Sequence, residues 1–171
     1  MARPLGRLPK DQSKLVPATI KELIPISQFG CGNSWEPTSI TEVVQCLYVN
    51  DKLDKGSAIK FRVLWSSGSS TTTDSATFKI LYSKITAEST TLTGLAATAL
   101  DTAIAADTVV GANLLQYSPS GTIAASTITD GDSLILGLSV SALSGLSLDG
   151  TAAKQVVVYG VEIEYVTTYI S

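Results

Sequence analysis

Few side chains in this sequence could do chemistry, and histidine is not among them, because the 171 residues contain none. Glu162 and Glu164 stand two residues apart in a run that alternates apolar and polar. A strand would put both carboxylates on one face, about 7 Å apart. Such a pair could share general acid and general base work, but alternating outward glutamates also make an ordinary solvated sheet face. Asp130 and Asp132 flank Gly131 and could supply oxygens to a calcium site, or form a turn where glycine adopts positive φ cheaply. Cys31 and Cys46 are the only cysteines. Two thiols without an imidazole cannot complete a zinc tetrad, and in an intracellularly made chain they are expected reduced. Gly30-Cys31-Gly32 lacks the strand, loop and helix context of a phosphate cradle. Without histidine, Ser-His-Asp and Cys-His arrangements are excluded. No catalytic, cofactor-binding or metal-binding set emerges, and the chain is not expected to be an enzyme.

Charge divides the sequence more sharply than motifs do. Residues 1–35 carry five basic side chains against two acidic ones, net +3, with prolines at positions 4, 9, 17 and 25; residues 36–171 are net −6. This predicts an extended basic N-terminal arm over 1–35 and one β-sandwich domain over 36–171. About 136 residues suffice for a core without disulfides or metals. Charged residues are only 16% of the chain, below the usual quarter. The surface is therefore built largely of hydroxyls and backbone, as on a subunit of an assembly and also on many β-rich extracellular domains. The arm's basic residues Arg3, Arg7, Lys10 and Lys14 suit an acidic neighbouring subunit. Phosphate binding by so diffuse a patch would be weak and salt-sensitive, so no specific nucleic acid is expected. Ile24, Ile26, Phe29 and Trp35 could anchor the arm in partner pockets or fold back as a first strand. Fully extended, the arm would reach about 115 Å. No secretory signal is expected, since polar residues follow Pro9 where an apolar core belongs. No run of 18 apolar residues suggests a membrane span.

The elements needed to position these residues are mostly strands. Thr19-Ile20-Lys21-Glu22 has capping-box spacing and predicts about one helical turn before Pro25. Ser39 to Glu42 repeats that spacing ahead of strand-like Val43–Val49 and is read as coincidence. Ile59, Phe61, Val63 and Trp65 alternate onto one face of a strand, as do Phe78, Ile80 and Tyr82 in the next. Residues 68–74 form the turn or loop between them. Leu134, Leu136, Leu138 and Val140 alternate again, and in the last strand Val157, Tyr159, Val161, Ile163 and Tyr165 are assigned to one face. Trp65, Tyr82, Tyr159 and Tyr165 are expected in the core. Asp149-Gly150 marks another turn. Residues 93–112 could be helical by composition, but short strand and loop is preferred, because Thr, Asp and Val recur. The fold class is all-β: an antiparallel β-sandwich. Jelly roll is the preferred topology, and an immunoglobulin-like order stays open.

Several ordered segments resemble a known family. Phe61-Arg62-Val63-Leu64-Trp65-Ser66 comes first, and Leu100-Asp101-Thr102-Ala103 follows. Then come Ala112-Asn113-Leu114-Leu115-Gln116-Tyr117-Ser118-Pro119 and Asp130-Gly131-Asp132-Ser133-Leu134-Ile135-Leu136. Val158-Tyr159-Gly160-Val161-Glu162-Ile163-Glu164-Tyr165 closes the series. Together they resemble a small β-sandwich domain of tailed-bacteriophage structural proteins, over roughly residues 40–166. The acidic, arginine-containing segment usual before the last strand is replaced here by Leu146–Lys154. The resemblance implies a virion component such as a capsid decoration (cement) protein, made in the host cytoplasm and located on the capsid surface. Its partners would be the major capsid protein or other virion subunits, and it would form a homo-oligomer, with a trimer as one form. The alternative is a head-fibre, neck or tail module that binds host-surface glycans.

Overall fold

The computed structural model describes residues 15–48, 57–85, 100–124, 133–148 and 153–170. Arg3, Arg7, Lys10, Lys14, Asp130, Gly131, Asp132, Asp149 and Gly150 lie outside them. Among the described residues, ten strands form two antiparallel sheets. They are β1 (Leu15–Pro25), β2 (Val44–Tyr48), β3 (Ile59–Ser67), β4 (Ser75–Ile85), β5 (Leu100–Ala103), β6 (Asp107–Thr108), β7 (Gln116–Tyr117), β8 (Gly121–Ile123), β9 (Ser133–Ser144) and β10 (Val156–Ile170). The first sheet runs β1-β10-β3, with β7 and β8 both paired to the far side of β3. The second runs β2-β9-β4, with β5 and β6 both on β4. Counting β5/β6 and β7/β8 as one position each, the eight positions follow jelly-roll order, which settles the alternative against an immunoglobulin-like arrangement.

The alternating runs fill the space between the sheets. Ile59, Phe61, Val63 and Trp65 from β3 face Phe78 and Ile80 from β4, all essentially inaccessible to water. Trp65 and Phe78 meet edge to face across the sandwich at 5.4 Å between centroids, a preferred aromatic geometry. Leu134, Leu136, Leu138 and Val140 line the inner face of β9. Ile135 and Ser139, on the opposite side of that strand, are buried too; they lie beside Ser83 and Lys79 of β4.

The structure corrects the sequence reading in three places. The predicted helical turn at Thr19–Glu22 is part of β1, paired residue for residue with β10 from Leu15↔Ile170 to Pro25↔Gly160. The extended register on β10 overrides a weak local capping signal. A four-residue 3-10 helix follows instead at Ile26–Phe29, closed by Gly30 at φ 86°.

Second, residues 15–35 belong to the sandwich. Ile24, Ile26, Phe29 and Trp35 are buried in its core, and Trp35 exchanges two backbone hydrogen bonds with Val158 of β10 (2.8 and 2.9 Å). The division expected after residue 35 therefore does not mark where the folded part begins.

Third, β10 does not keep one phase. A bulge between Val158 and Gly160 shifts the register against β3. It turns Val156 and Val158 inward with Val161, Ile163 and Tyr165, and leaves Val157 and Tyr159 half-buried. An extra residue in one strand reverses the alternation downstream, which simple periodicity cannot see. Tyr159 instead meets the Ser66 hydroxyl at 3.2 Å. The preferred strand-and-loop reading of 93–112 holds for residues 100–112, which form β5, β6 and a connector; 93–99 lie outside the described residues.

Candidate docking surface

Because paired strands run antiparallel, the described connectors sort to two ends. One end carries the described connectors 26–43, 68–74 and 109–115 and the β9–β10 connector, described at 145–148 and 153–155. At the other end β1, β3 and β9 begin and β2, β4 and β10 finish. Arg3, Arg7, Lys10 and Lys14, which precede β1 in sequence, lie outside the described residues. The four apolar residues expected beside them as partner anchors, Ile24, Ile26, Phe29 and Trp35, are spent in the protein's own core. Burial between the sheets outcompetes any exposed anchoring role.

The first end is tied down by two carboxylates. Asp74 is buried beside the Ser69 hydroxyl (2.6 Å) and Lys154 Nζ (3.3 Å). Its backbone accepts the Val109 N–H at 2.9 Å. Gly145, at φ 72°, packs so closely that a Cβ there would lie 1.9 Å from an Asp74 oxygen. One residue therefore joins the 68–74, 109–115 and β9–β10 connectors. The Ser69 bond, and then Lys154, hold the Asp74 carboxyl below its ordinary value of 3.8. Glu42 closes the 26–43 connector by accepting the Thr38 N–H (2.7 Å), the Trp35 indole N–H (2.9 Å) and the Thr38 hydroxyl (2.9 Å). These bonds, the Thr38 N–H foremost, lower its pKa. Cys31 and Cys46 are free thiols, and burial pushes Cys46 up to about 11.

Connector 109–115 clusters exposed apolar side chains, whereas connector 26–43 exposes Ile40 alone among its large described apolar residues. Val110, Leu114 and Leu115 are 54–60% exposed and adjoin half-exposed Tyr117. These side chains stand on a rigid base. Gln116 accepts the Val110 N–H (3.0 Å) and donates to Asp107 Oδ2 and the Thr108 carbonyl (both 2.7 Å). Asp107 Oδ2 in turn receives the indole N–H of core residue Trp65 at 2.8 Å. Asn113, at φ 59°, donates its N–H to the Ser67 carbonyl at 2.7 Å. Below the loop, Pro119 cannot donate to a ladder. Ser118 bridges the gap between β7 and β8: its N–H bonds the Val63 carbonyl and its hydroxyl accepts the Val63 N–H, both at 2.9 Å. A loop held by this many bonds would bury its apolar tips on a partner with little ordering cost. Ala112–Tyr117 falls in a segment that the sequence singled out, but nothing in its periodicity marks these leucines as exposed.

Glu162 and Glu164 do face outward, as their alternation predicted. Neither stands as a free carboxylate: Glu164 contacts Lys21 (3.1 Å) and Lys60 (3.0 Å), and Glu162 accepts Arg62 Nε at 3.0 Å and a second guanidinium nitrogen. Lys60 and Lys21 hold the Glu164 carboxyl below its ordinary value. Among the described residues no group of three potential metal ligands forms, and no helix is long and apolar enough to cross a membrane. The arrangement suits adhesion: a stiff frame, a preformed apolar apex and a charged sheet face. No family model, no curated protein and no solved structure matches this chain.

Proposed function

We propose that this protein is a structural virion subunit, a decoration or cement protein that docks on a phage capsid through its sandwich body. The observation that carries the docking reading is the apex, with Val110, Leu114, Leu115 and Tyr117 exposed on a hydrogen-bonded loop. Clustered apolar exposure of this kind marks contact surfaces. The virion setting rests on the resemblance of the ordered segments to phage structural domains and on a jelly-roll frame, which capsid proteins often use. In this reading the basic residues Arg3, Arg7, Lys10 and Lys14 add a tether on neighbouring acidic subunits. Two linked contacts then hold more tightly than either alone.

Co-sedimentation with purified shells lacking the protein tests the proposal. The wild-type chain should pellet with shells. The double variant Leu114→Ser, Leu115→Ser should bind at least about tenfold more weakly with an unchanged thermal midpoint, since neither side chain is in the core. Undiminished binding by that variant would remove the apex from the interface.

A further inference from the structure

The outer face of the first sheet carries a charged cluster that adjoins the apex only at Tyr117. By register, Lys21, Glu164 and Lys60 form one row across β1, β10 and β3, and Leu23, Glu162 and Arg62 form the next. Leu64 and Tyr117 make a third, with the Arg62 guanidinium 4.6 Å above the Tyr117 ring. Lys21, Lys60, Arg62, Ser120, Glu162 and Glu164 line a shallow depression of about 120 Å³.

The layering of charge decides what this depression can take. The carboxylates form the floor, with side chains 13% and 25% exposed, while the cations above them are 35–54% exposed. Solvent therefore meets a net-positive spot on a chain of net charge −3. Lysine offers three donors and arginine five, and only four of these are used within the cluster. The glutamate oxygens facing them are engaged, so an incoming group must bring acceptors. Exposed ion pairs are worth about 0–1 kcal/mol, so a lysine can turn to a new anion at little cost. Lys60, Arg62 and Leu64 follow one another on the same side of β3 at the two-residue rise of about 7 Å. An extended chain repeats its side chains at that same interval.

From this geometry we infer that the outer face of the first sheet binds an extended acidic protein segment, with carboxylates at alternate positions followed by an apolar residue. This adds a second contact to the docking reading above. It is measured on the isolated chain, so its failure would leave recruitment by the apex untouched.

The test is an NMR titration of the full-length protein with the blocked peptide Glu-Gly-Glu-Gly-Leu. Controls are the peptide with lysines for glutamates, the peptide with serine for leucine, and an oligosialic acid of matched carboxylate number. Saturable shifts are expected at Lys21, Lys60, Arg62, Tyr117 and Ser120. They should weaken at least fivefold in Lys21→Gln and in Lys60→Gln but not in Lys79→Gln on the other sheet. The lysine peptide should produce none, and the serine peptide should bind more weakly. Shifts absent or spread over the surface would overturn the inference, as would equal losses in all three variants. Binding of oligosialic acid as strong as that of the peptide would overturn it in favour of an anionic glycan.

Discussion

Asp74 shows how much one side chain can organise. It binds Ser69 and Lys154, its backbone holds Val109, and its carboxylate leaves no room for a side chain at Gly145. Because its folded pKa is depressed below 3.8, its stabilising contribution is complete above the unfolded-state value and is lost as pH falls through the lower folded value. Glu42, depressed below 4.5, follows the same sign. The thermal midpoint of the wild type should therefore exceed that of Asp74→Asn most at about pH 7, and the gap should narrow towards about pH 2–3. A gap independent of pH in melting curves would mean that the charge on Asp74 contributes nothing. At this scale the sequence revealed little. Asp74 sits at the end of a Ser/Thr-rich turn that looks merely flexible, and its partners Ser69, Val109 and Lys154 are 5, 35 and 80 positions away. Glu162 and Glu164 were legible as an outward pair because strict alternation fixes their face. The lysines and arginine that neutralise them come from other strands.

Elements were legible where each strand keeps one face. β3 and β4 were marked by their alternation, and both serve as central strands. β10 was misread in its first half because a bulge changes phase without a sequence signal as strong as proline or a turn. β1 was obscured for a different reason. Pro17, Pro25 and inward-side Glu22 make it look like an irregular arm, yet such features are normal on an edge strand, where they discourage pairing with other chains. Glu22 meets the Tyr48 hydroxyl of β2 at 3.4 Å, so the two sheets also touch at this rim.

Truncation separates arm from strand. Removal of residues 1–14 should leave cooperative unfolding intact while weakening shell binding by about a hundredfold if the tether operates. Removal of residues 1–35 also takes Ile24, Ile26, Phe29 and Trp35 out of the core, each worth about 1.5–3 kcal/mol of burial. Against a total of about 5–15 kcal/mol for a domain, the shorter chain should not fold cooperatively. Circular dichroism melts of the two truncations check both expectations. The apex loop makes a subtler prediction. Gln116→Ala removes three hydrogen bonds from its base. It should raise amide exchange at Val110 and weaken shell binding, while costing the fold only about 1–3 kcal/mol. Unchanged exchange at Val110 would show that the loop does not depend on Gln116.

For the whole molecule, the all-β class and two-layer design followed from strand periodicity and the lack of long helical patterns. Jelly-roll order needed the pairing of strands distant in sequence, β1 with β10 and β2 with β9. The sorting of connectors to two ends also follows from that order. It puts connector 109–115 at one end and the start of β1 at the other. In the cementing role proposed above, the apex would meet the shell and residues 1–14 would reach a neighbouring subunit. The measurement that tests this most directly is quantitative protein composition of purified virions, giving this chain's copy number relative to the major capsid protein. The account predicts hundreds of copies, near-stoichiometric with the shell. A dozen copies or fewer would contradict it and place the protein at a neck, tail or fibre, where host-surface binding becomes the better explanation.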